Sequence, residues 1–479
     1  MLQVTDDLIR SVVQEVLAGM KTGSRSPGVR YSEPPGSGAS PSAWGVFESV
    51  DDAVKAASKS QRQLESLGLD ARKKATDCIR KICIEQANML GLEEMEETKI
   101  GRLKHKVEKL VTAGERSPGV EFLRTNAFGS MNNLTLEEFA PFGVIGAITP
   151  VTHSLPTLAN NAISMIAAGN TIVVNPHPSG ARVACHGVQL FNQAIHKAIG
   201  LDNLVTILGK PTLESAQAIF DHRDVKMLCV TGGPAVGRAA LRSPKRAIVA
   251  GPGNPPVVVD ETADLDNAAR SIIYGAAYDN NLLCIAEKEV FVVASVFDEM
   301  MDAMTKAKAV RLNPDQIAKL TKAAFVAGEG GKLIVNKDLI GQDAAVLAKH
   351  AGVSVAAETE LLFGETDESH PFVDHEQMMP FVPFIRCSDV DACIALAKKY
   401  EHGFKHTAII HSRNVDTITR MGREMDVTIF VQNGPCTAGL GEAYLSFSIA
   451  TPTGEGVTTP LTFSRVRRST TMGSMRVVG

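Results

Sequence analysis

The chain has 479 residues, 44% hydrophobic and 21% charged, with a formal net charge of −4. Length predicts two or three domains, or one large composite unit. The weak field, the 5% aromatic content and the single Trp exclude an electrostatic footprint for nucleic acid and stacking platforms for its bases. No run of about 18 apolar residues could span a bilayer, and the acidic start MLQVTDDLIR is unlike a secretory signal, so the expectation is an intracellular protein without a membrane partner.

In chain order, residues 1–20 carry Leu8, Ile9, Val12, Val13, Val16, Leu17 and Met20 as one continuous stripe at helical spacing. Thr5 can cap this helix, and Asp6 and Asp7 suit its positive end. Residues 21–43, rich in Gly, Ser and Pro, form a flexible tether that cannot build a core. The stripe either packs on its own protein or docks elsewhere; the long tether favours a docking peptide. From Trp44 the chain reads as compact. Residues 51–112 predict two or three charged, Ala-rich helices, and Leu134–Phe139 a strand after a Gly/Asn turn.

Units of strand, glycine turn and helix follow. Strands are expected at Gly143–Thr149, Thr171–Asn175, Leu204–Leu208 and Val225–Thr231, with helices at Leu158–Ala168 and from Ala181. A second set begins near Gly251, with strands at Pro256–Val259 and Glu289–Val293 and a helix at Phe297–Lys308, and continues to about Asn433. This alternation predicts an α/β fold with doubly wound parallel sheets.

The eight cysteines are scattered, with no CxxC pair and no His at zinc spacing, so neither a disulfide framework nor a metal site is expected. Cys284, in YDNNLLCIAEKEVFV, stands just before a strand, where a thiol can face a cleft or simply fill a core. The turn Gly232-Gly233-Pro234 opens a helix after a strand; its amides can hold a pyrophosphate, or the glycines can serve a sharp reversal alone. The segment AGPGNPPVVVD, residues 250–260, reads as a Gly/Pro loop entering a strand, and His177 in NPHPSG ends another. These patterns give an α/β enzyme and no reaction.

Together, the segments resemble the aldehyde dehydrogenase superfamily. APFGVIGAITP (140–150) is similar to the strand and turn beneath a nicotinamide, and TGGPAVGRAA (231–240) to the segment that holds the cofactor's phosphates. DNNLLCIAEKEVFV places Cys284 on the nucleophile, and EQMMPFVPFIRCSDVDACIALAKKYEHG places Glu376 on the glutamate that touches the nicotinamide ribose. NNAISMIAAGNTIVVNPHPSGA, HTAIIHS (406–412) and GEGVTTPLTFSR (454–465) resemble the CoA-acylating enzymes of bacterial microcompartments, and residues 1–20 resemble an encapsulation peptide.

The resemblance implies an NAD(H)- and coenzyme A-binding domain over residues 44–249, with residues 134–139 as an oligomerisation strand. It implies a catalytic domain over 250–433 and a return to the cofactor domain with an oligomerisation tail over 434–479. It implies NAD contacts at Thr149, Pro150, His177, Pro178, Ser179, Thr231, Gly232, Gly233, Val236 and Glu376, with NADP left open by Arg182. Cys284 is the implied catalytic nucleophile. His153 stands where relatives place an oxyanion asparagine, as donor, as base or as a lining residue, and His406 is a second nearby histidine. Ala250 falls at the position of the hydrolytic members' water-activating glutamate, which implies acyl transfer to CoA from a small aldehyde: acetaldehyde, propionaldehyde or lactaldehyde. A hydrolytic enzyme and a non-catalytic scaffold are the alternatives. A homodimer or homotetramer and a shell protein complete the expected partners.

Overall fold

A computed structural model describes residues 44–328, 331–441 and 443–473; the expected helix at 1–20 and tether at 21–43 lie outside the described residues. Three helices come first: α1 (Val50–Glu85), α2 (Ala87–Thr98) and α3 (Leu103–Arg116). Ser49 starts α1 by accepting the Asp52 N–H on its side chain.

The first sheet has the order β1-β6-β5-β4-β7-β8, every pair parallel. Its strands are β1 (Val46–Phe47), β4 (Val144–Thr149), β5 (Thr171–Pro176), β6 (Val205–Leu208), β7 (Val225–Thr231) and β8 (Arg246–Ala250). β2 (Asn126–Gly129) and β3 (Asn133–Pro141) stand apart, as an antiparallel hairpin. The crossover helices are α4 (Ser154–Ala167), α5 (Ala181–Ile199), α6 (Leu213–Asp221) and α7 (Pro234–Arg242). β4 and β5 are buried at every position because helices cover both faces. The chain winds outward from β4 through β5 to β6, then returns to the other side of β4 as β7. A crevice therefore opens at the carboxyl ends of β4 and β7, where Thr149 and Thr231 stand.

The second sheet, order β11-β14-β15-β10-β9-β16-β17, is also parallel. It contains β9 (Pro256–Val259), β10 (Glu289–Val293), β11 (Val310–Arg311), β14 (Leu362–Glu365), β15 (Phe381–Cys387), β16 (Thr407–His411) and β17 (Ile429–Gln432). β12 (Phe325–Ala327) and β13 (Leu333–Val335) form a short ribbon, as do β18 (Ile449–Ala450) and β19 (Gly456–Val457). Between β9 and β10, α8 (Leu265–Ala277) is capped by the Asp264 side chain and leads the chain toward Cys284. The doubly wound α/β expectation holds.

Three details differ from the sequence expectation. Helix α4 begins at Ser154, not Leu158, and all fourteen of its residues are buried. Its polar residues bond inward: Asn160 donates to Ser117 Oγ, and Ser164 to the Pro118 carbonyl. Ala250 ends strand β8 rather than lying in a loop. β3 runs Asn133–Pro141, longer than expected, because β20 (Ser464–Met472) pairs with its whole length, from Ser464 opposite Pro141 to Met472 opposite Asn133. No helix among the described residues is long and apolar enough to cross a membrane.

Candidate active site

Cys284 follows a turn that L-amino acids seldom adopt. Asp279, Asn280 and Asn281 have φ of 49°, 57° and 67°, three left-handed residues in succession. Each side chain is anchored. The Asp279 carboxylate accepts the Arg102 N–H at 2.8 Å and pairs with Lys109 at 2.5 Å and Lys106 at 3.5 Å. The Asn280 amide donates to the Gly341 carbonyl and to Asp343, both at 2.9 Å. Asn281 donates to the carbonyls of Ala276 at 2.9 Å and Glu287 at 3.0 Å. Gly101, at φ +83°, is required because a Cβ there would collide with the Asp279 carboxylate.

The partly buried Cys284 lines a cavity of about 290 Å³ together with His153. Glu108, Thr112 and Arg116, spaced four apart along one face of α3, line it too, with Phe447 and Ile449 among the apolar residues. Burial pushes the Cys284 thiol up to about 12; Glu376 adds to this and Lys288 opposes it. A thiol so raised is neutral at rest. His153 is 6% exposed; burial, then Lys109 and Lys106, hold its imidazole well below the ordinary histidine range. It is neutral at physiological pH, with Nε2 3.3 Å from Thr152 Oγ1 and Nδ1 without a partner among the described residues.

The loop before His153 hangs on a buried ion cluster. Lys106 and Lys109 both donate to the Thr152 carbonyl, at 3.0 and 3.1 Å. Lys106 also pairs with Glu94 at 3.5 Å, and all four charged side chains of Glu94, Lys106, Lys109 and Asp279 are at most 2% exposed. Two cations balance two anions, which is the condition for burying them. The same cluster thus fixes the turn before Cys284 and the peptide before His153.

On the other side of the nucleophile, Gly253 packs so closely that a Cβ would collide with the Cys284 carbonyl oxygen and stand 3.1 Å from the His406 ring. Glu376 is partly buried; burial pushes its carboxyl up, opposed by Lys288 and the Gly253 N–H. His406 is fully buried, bonded to Thr407 Oγ1 at 2.9 Å through Nδ1; it lies behind Gly253 and is not among the residues lining the cavity.

The β4–β7 crevice suits a dinucleotide. Among the described residues, Thr149 Oγ1 is buried without a partner, and no atom stands within 4 Å of a Cβ placed on Gly233, at the start of α7. The free amides of that helix start can hold an anion. Thr231 Oγ1 lies 2.8 Å from Ser448 Oγ, which donates to Asn161, tying the crevice to the segment that carries Phe447 into the cavity. Val236 Cγ1 closes on Gly232, and Pro150 follows Thr149. His177 Nδ1 accepts the Ser179 N–H as Pro178–Gly180 turns into α5. There Glu97 accepts the amides of Arg182 and Val183 at 2.8 Å each, placing a carboxylate beside Arg182.

The structure thus brings Cys284 and His153 together and gathers Thr149, Pro150, Thr231, Gly232, Gly233 and Val236 at one crevice, with His177, Pro178 and Ser179 after the neighbouring strand. Sequence reasoning missed Lys106, Lys109 and Asp279, whose only signal was a pair of lysines three apart, and the cavity residues Glu108, Thr112 and Arg116.

Comparison with known proteins agrees with this arrangement. The aldehyde dehydrogenase family model matches residues 45–445. Acetaldehyde dehydrogenase (acetylating) EutE of Salmonella typhimurium is 43% identical over 475 residues, covering 98% of this chain and 99% of that protein. The crystal structure of Rhodopseudomonas palustris propionaldehyde dehydrogenase with bound CoA and an acylated cysteine matches with a TM-score of 0.86 and 41% identity, over 89% of this chain and 98% of that one. A propionaldehyde dehydrogenase from the Clostridium phytofermentans fucose utilisation bacterial microcompartment matches with a TM-score of 0.88 and 39% identity, over 91% of this chain and 100% of that one. By sequence and by topology, the chain belongs to the aldehyde dehydrogenase family.

Proposed function

We propose that the protein oxidises a small aliphatic aldehyde to its acyl-CoA, with NAD as hydride acceptor and coenzyme A as acyl acceptor. The observation that carries this reading is the Cys284 thiol beside a neutral imidazole in one cavity, while Ala250 offers no water-activating carboxylate where hydrolytic relatives have one. The acylated cysteine and bound CoA of the R. palustris enzyme support it. Residues 44–249 bind the cofactors, 250–433 carry the nucleophile, and β3 and β20 supply the oligomerisation edge.

The Cys284 sulfur attacks the aldehyde carbon, forming a C–S bond and moving the carbonyl π pair onto oxygen. The oxyanion lies against the Cys284 backbone N–H and His153. His153 Nδ1 donates to it in one tautomer, and in the other takes the thiol proton; the Thr152 hydroxyl can face either form of Nε2. When bound in the β4–β7 crevice, the nicotinamide supplies the hydride acceptor. Cys284 then holds a thioester, and the CoA sulfur attacks its carbonyl, expelling the Cys284 thiolate.

Purified protein with propionaldehyde and NAD should form NADH in steady turnover only when CoA is present. Equal turnover without CoA would establish hydrolysis instead. That second reading has one observation in its favour: Glu108 lines the same cavity, and burial raises its carboxyl toward the range of a base. His153→Ala should lower kcat about 10²–10³-fold, and His153→Asn should recover most of the loss if donation to the oxyanion is its role. Equal losses in both variants would assign it the proton instead. Because His153 is already neutral, no loss of rate between pH 8 and pH 6 should come from its protonation.

Residues 1–20 are proposed to dock on a microcompartment shell protein. Enzyme lacking residues 1–43 should then retain turnover and fail to co-purify with shells.

A further inference from the structure

Four residues beyond Cys284, at the foot of β10, Glu287, Lys288 and Glu289 are all fully buried. The ammonium of Lys288 is aimed at the nucleophile's own turn. It donates to the Asn281 carbonyl at 2.9 Å, the Asn281 side-chain oxygen at 2.5 Å and the Leu283 carbonyl at 3.3 Å. All three partners are acceptors. A neutral amine has two N–H bonds and a lone pair, so it would turn that lone pair on one of them; burial lowers the Lys288 pKa, and the three acceptors, with Glu376, favour the protonated form against it. Among the described residues no carboxylate comes within ion-pairing distance of it, in contrast to Lys106 and Lys109. An unpaired buried ammonium is costly, and the structure retains it beside the nucleophile.

The Leu283 carbonyl belongs to the peptide whose N–H is that of Cys284. A cation on the oxygen of a peptide draws electron density from its nitrogen and makes the N–H a better donor. We propose that Lys288 is a positioning residue: through the Leu283–Cys284 peptide and Asn281, its charge holds the nucleophile turn and strengthens the Cys284 N–H toward the aldehyde oxyanion, and at short range it favours the thiolate. The proposal rests on Cys284 as the nucleophile.

The other titratable groups around Lys288 come from every side. Glu376 approaches from the segment before β15, His406 from the residue before β16, and Cys436 from the turn after β17. Glu289 begins β10 and Glu287 stands two residues before it, and His153 and Lys109 stand across the cavity. Burial, Glu376 and Lys288 act most strongly on Cys284, and Lys288 is the cation among them.

The test uses the full-length protein and iodoacetamide, with alkylation at Cys284 followed by peptide mass spectrometry as a function of pH. Lys288→Met and Lys288→Gln should both raise the pH midpoint of alkylation by about one unit or more. Both should slow single-turnover NADH formation about 10²-fold, with the aldehyde KM little changed. Glutamine keeps two neutral N–H donors beside these oxygens, so full recovery in Lys288→Gln would reduce the residue to a strut and overturn the proposal.

Glu376→Gln provides a measurement that does not depend on those variants folding. Removing the carboxylate that competes for the same cation should lower the midpoint, and an unchanged or raised midpoint would overturn the electrostatic claim. If Cys284→Ala retained turnover, the nucleophile assignment would fall, while the alkylation profile would still report on Lys288.

Discussion

Replacing Cys284 with serine is expected to lower CoA-dependent NADH formation by at least about 10⁴-fold and to leave the melting temperature within about 2 °C of the parent. The two side chains differ little in volume, so packing is preserved. The chemistry is not. A serine hydroxyl is far less acidic than a thiol, and its ester would be a poorer acyl donor to CoA than a thioester. No other cysteine can take over: Cys229, Cys387, Cys393 and Cys436 are buried in the cores, and Cys284 is the cysteine that lines the cavity. Residual turnover within about tenfold of the parent would exclude Cys284 as the nucleophile.

Asp279→Asn should be the most destabilising substitution at the site, costing about 3–5 kcal/mol, read as a fall in the unfolding midpoint. Asparagine fits the left-handed backbone, so strain is not the cause. The loss comes from leaving Lys109 buried without a carboxylate and Lys106 with Glu94 as its one remaining carboxylate. Burial pushes the Asp279 carboxyl up, but Lys109 and Lys106 together outweigh it and hold it well below the usual carboxylate range.

A carboxyl depressed on folding contributes stability that is complete above its unfolded pKa, about 3.9. That contribution drains away as the pH falls toward the folded value. The parent should therefore lose stability on acidification from pH 5 to pH 3 more steeply than Asp279→Asn. Parallel curves would show that the cluster does not act through Asp279.

The legibility of the sequence differed from element to element. β4, β5 and β9 were readable because a parallel strand covered on both faces is an unbroken apolar run. β8 was not, since its exposed Arg246 begins it and a Gly/Pro loop follows. β20 is polar and almost wholly exposed, and its structure comes from pairing with β3, a partner more than three hundred residues earlier. The start of α4 was obscured by buried polar residues, which periodicity assigns to solvent.

The same blindness hid half of the site. Cys284 and His153 could be placed by motif, whereas LKHKVEKL reads as an ordinary charged helix face and EKE as a strand's wet end. Only three dimensions show that Lys106, Lys109 and Lys288 point inward, toward the two peptides that hold the reacting groups.

The three left-handed residues ahead of Cys284 also constrain how this gene can drift. At positions 279, 280 and 281 every β-branched or bulky substituent carries a backbone penalty of about 1–2 kcal/mol before any contact is lost. Glycine relieves that penalty but discards the anchors to Lys109, Gly341 and Glu287. A functional selection on a library randomised at these three codons should return aspartate at 279 and asparagine at 280 and 281 almost exclusively.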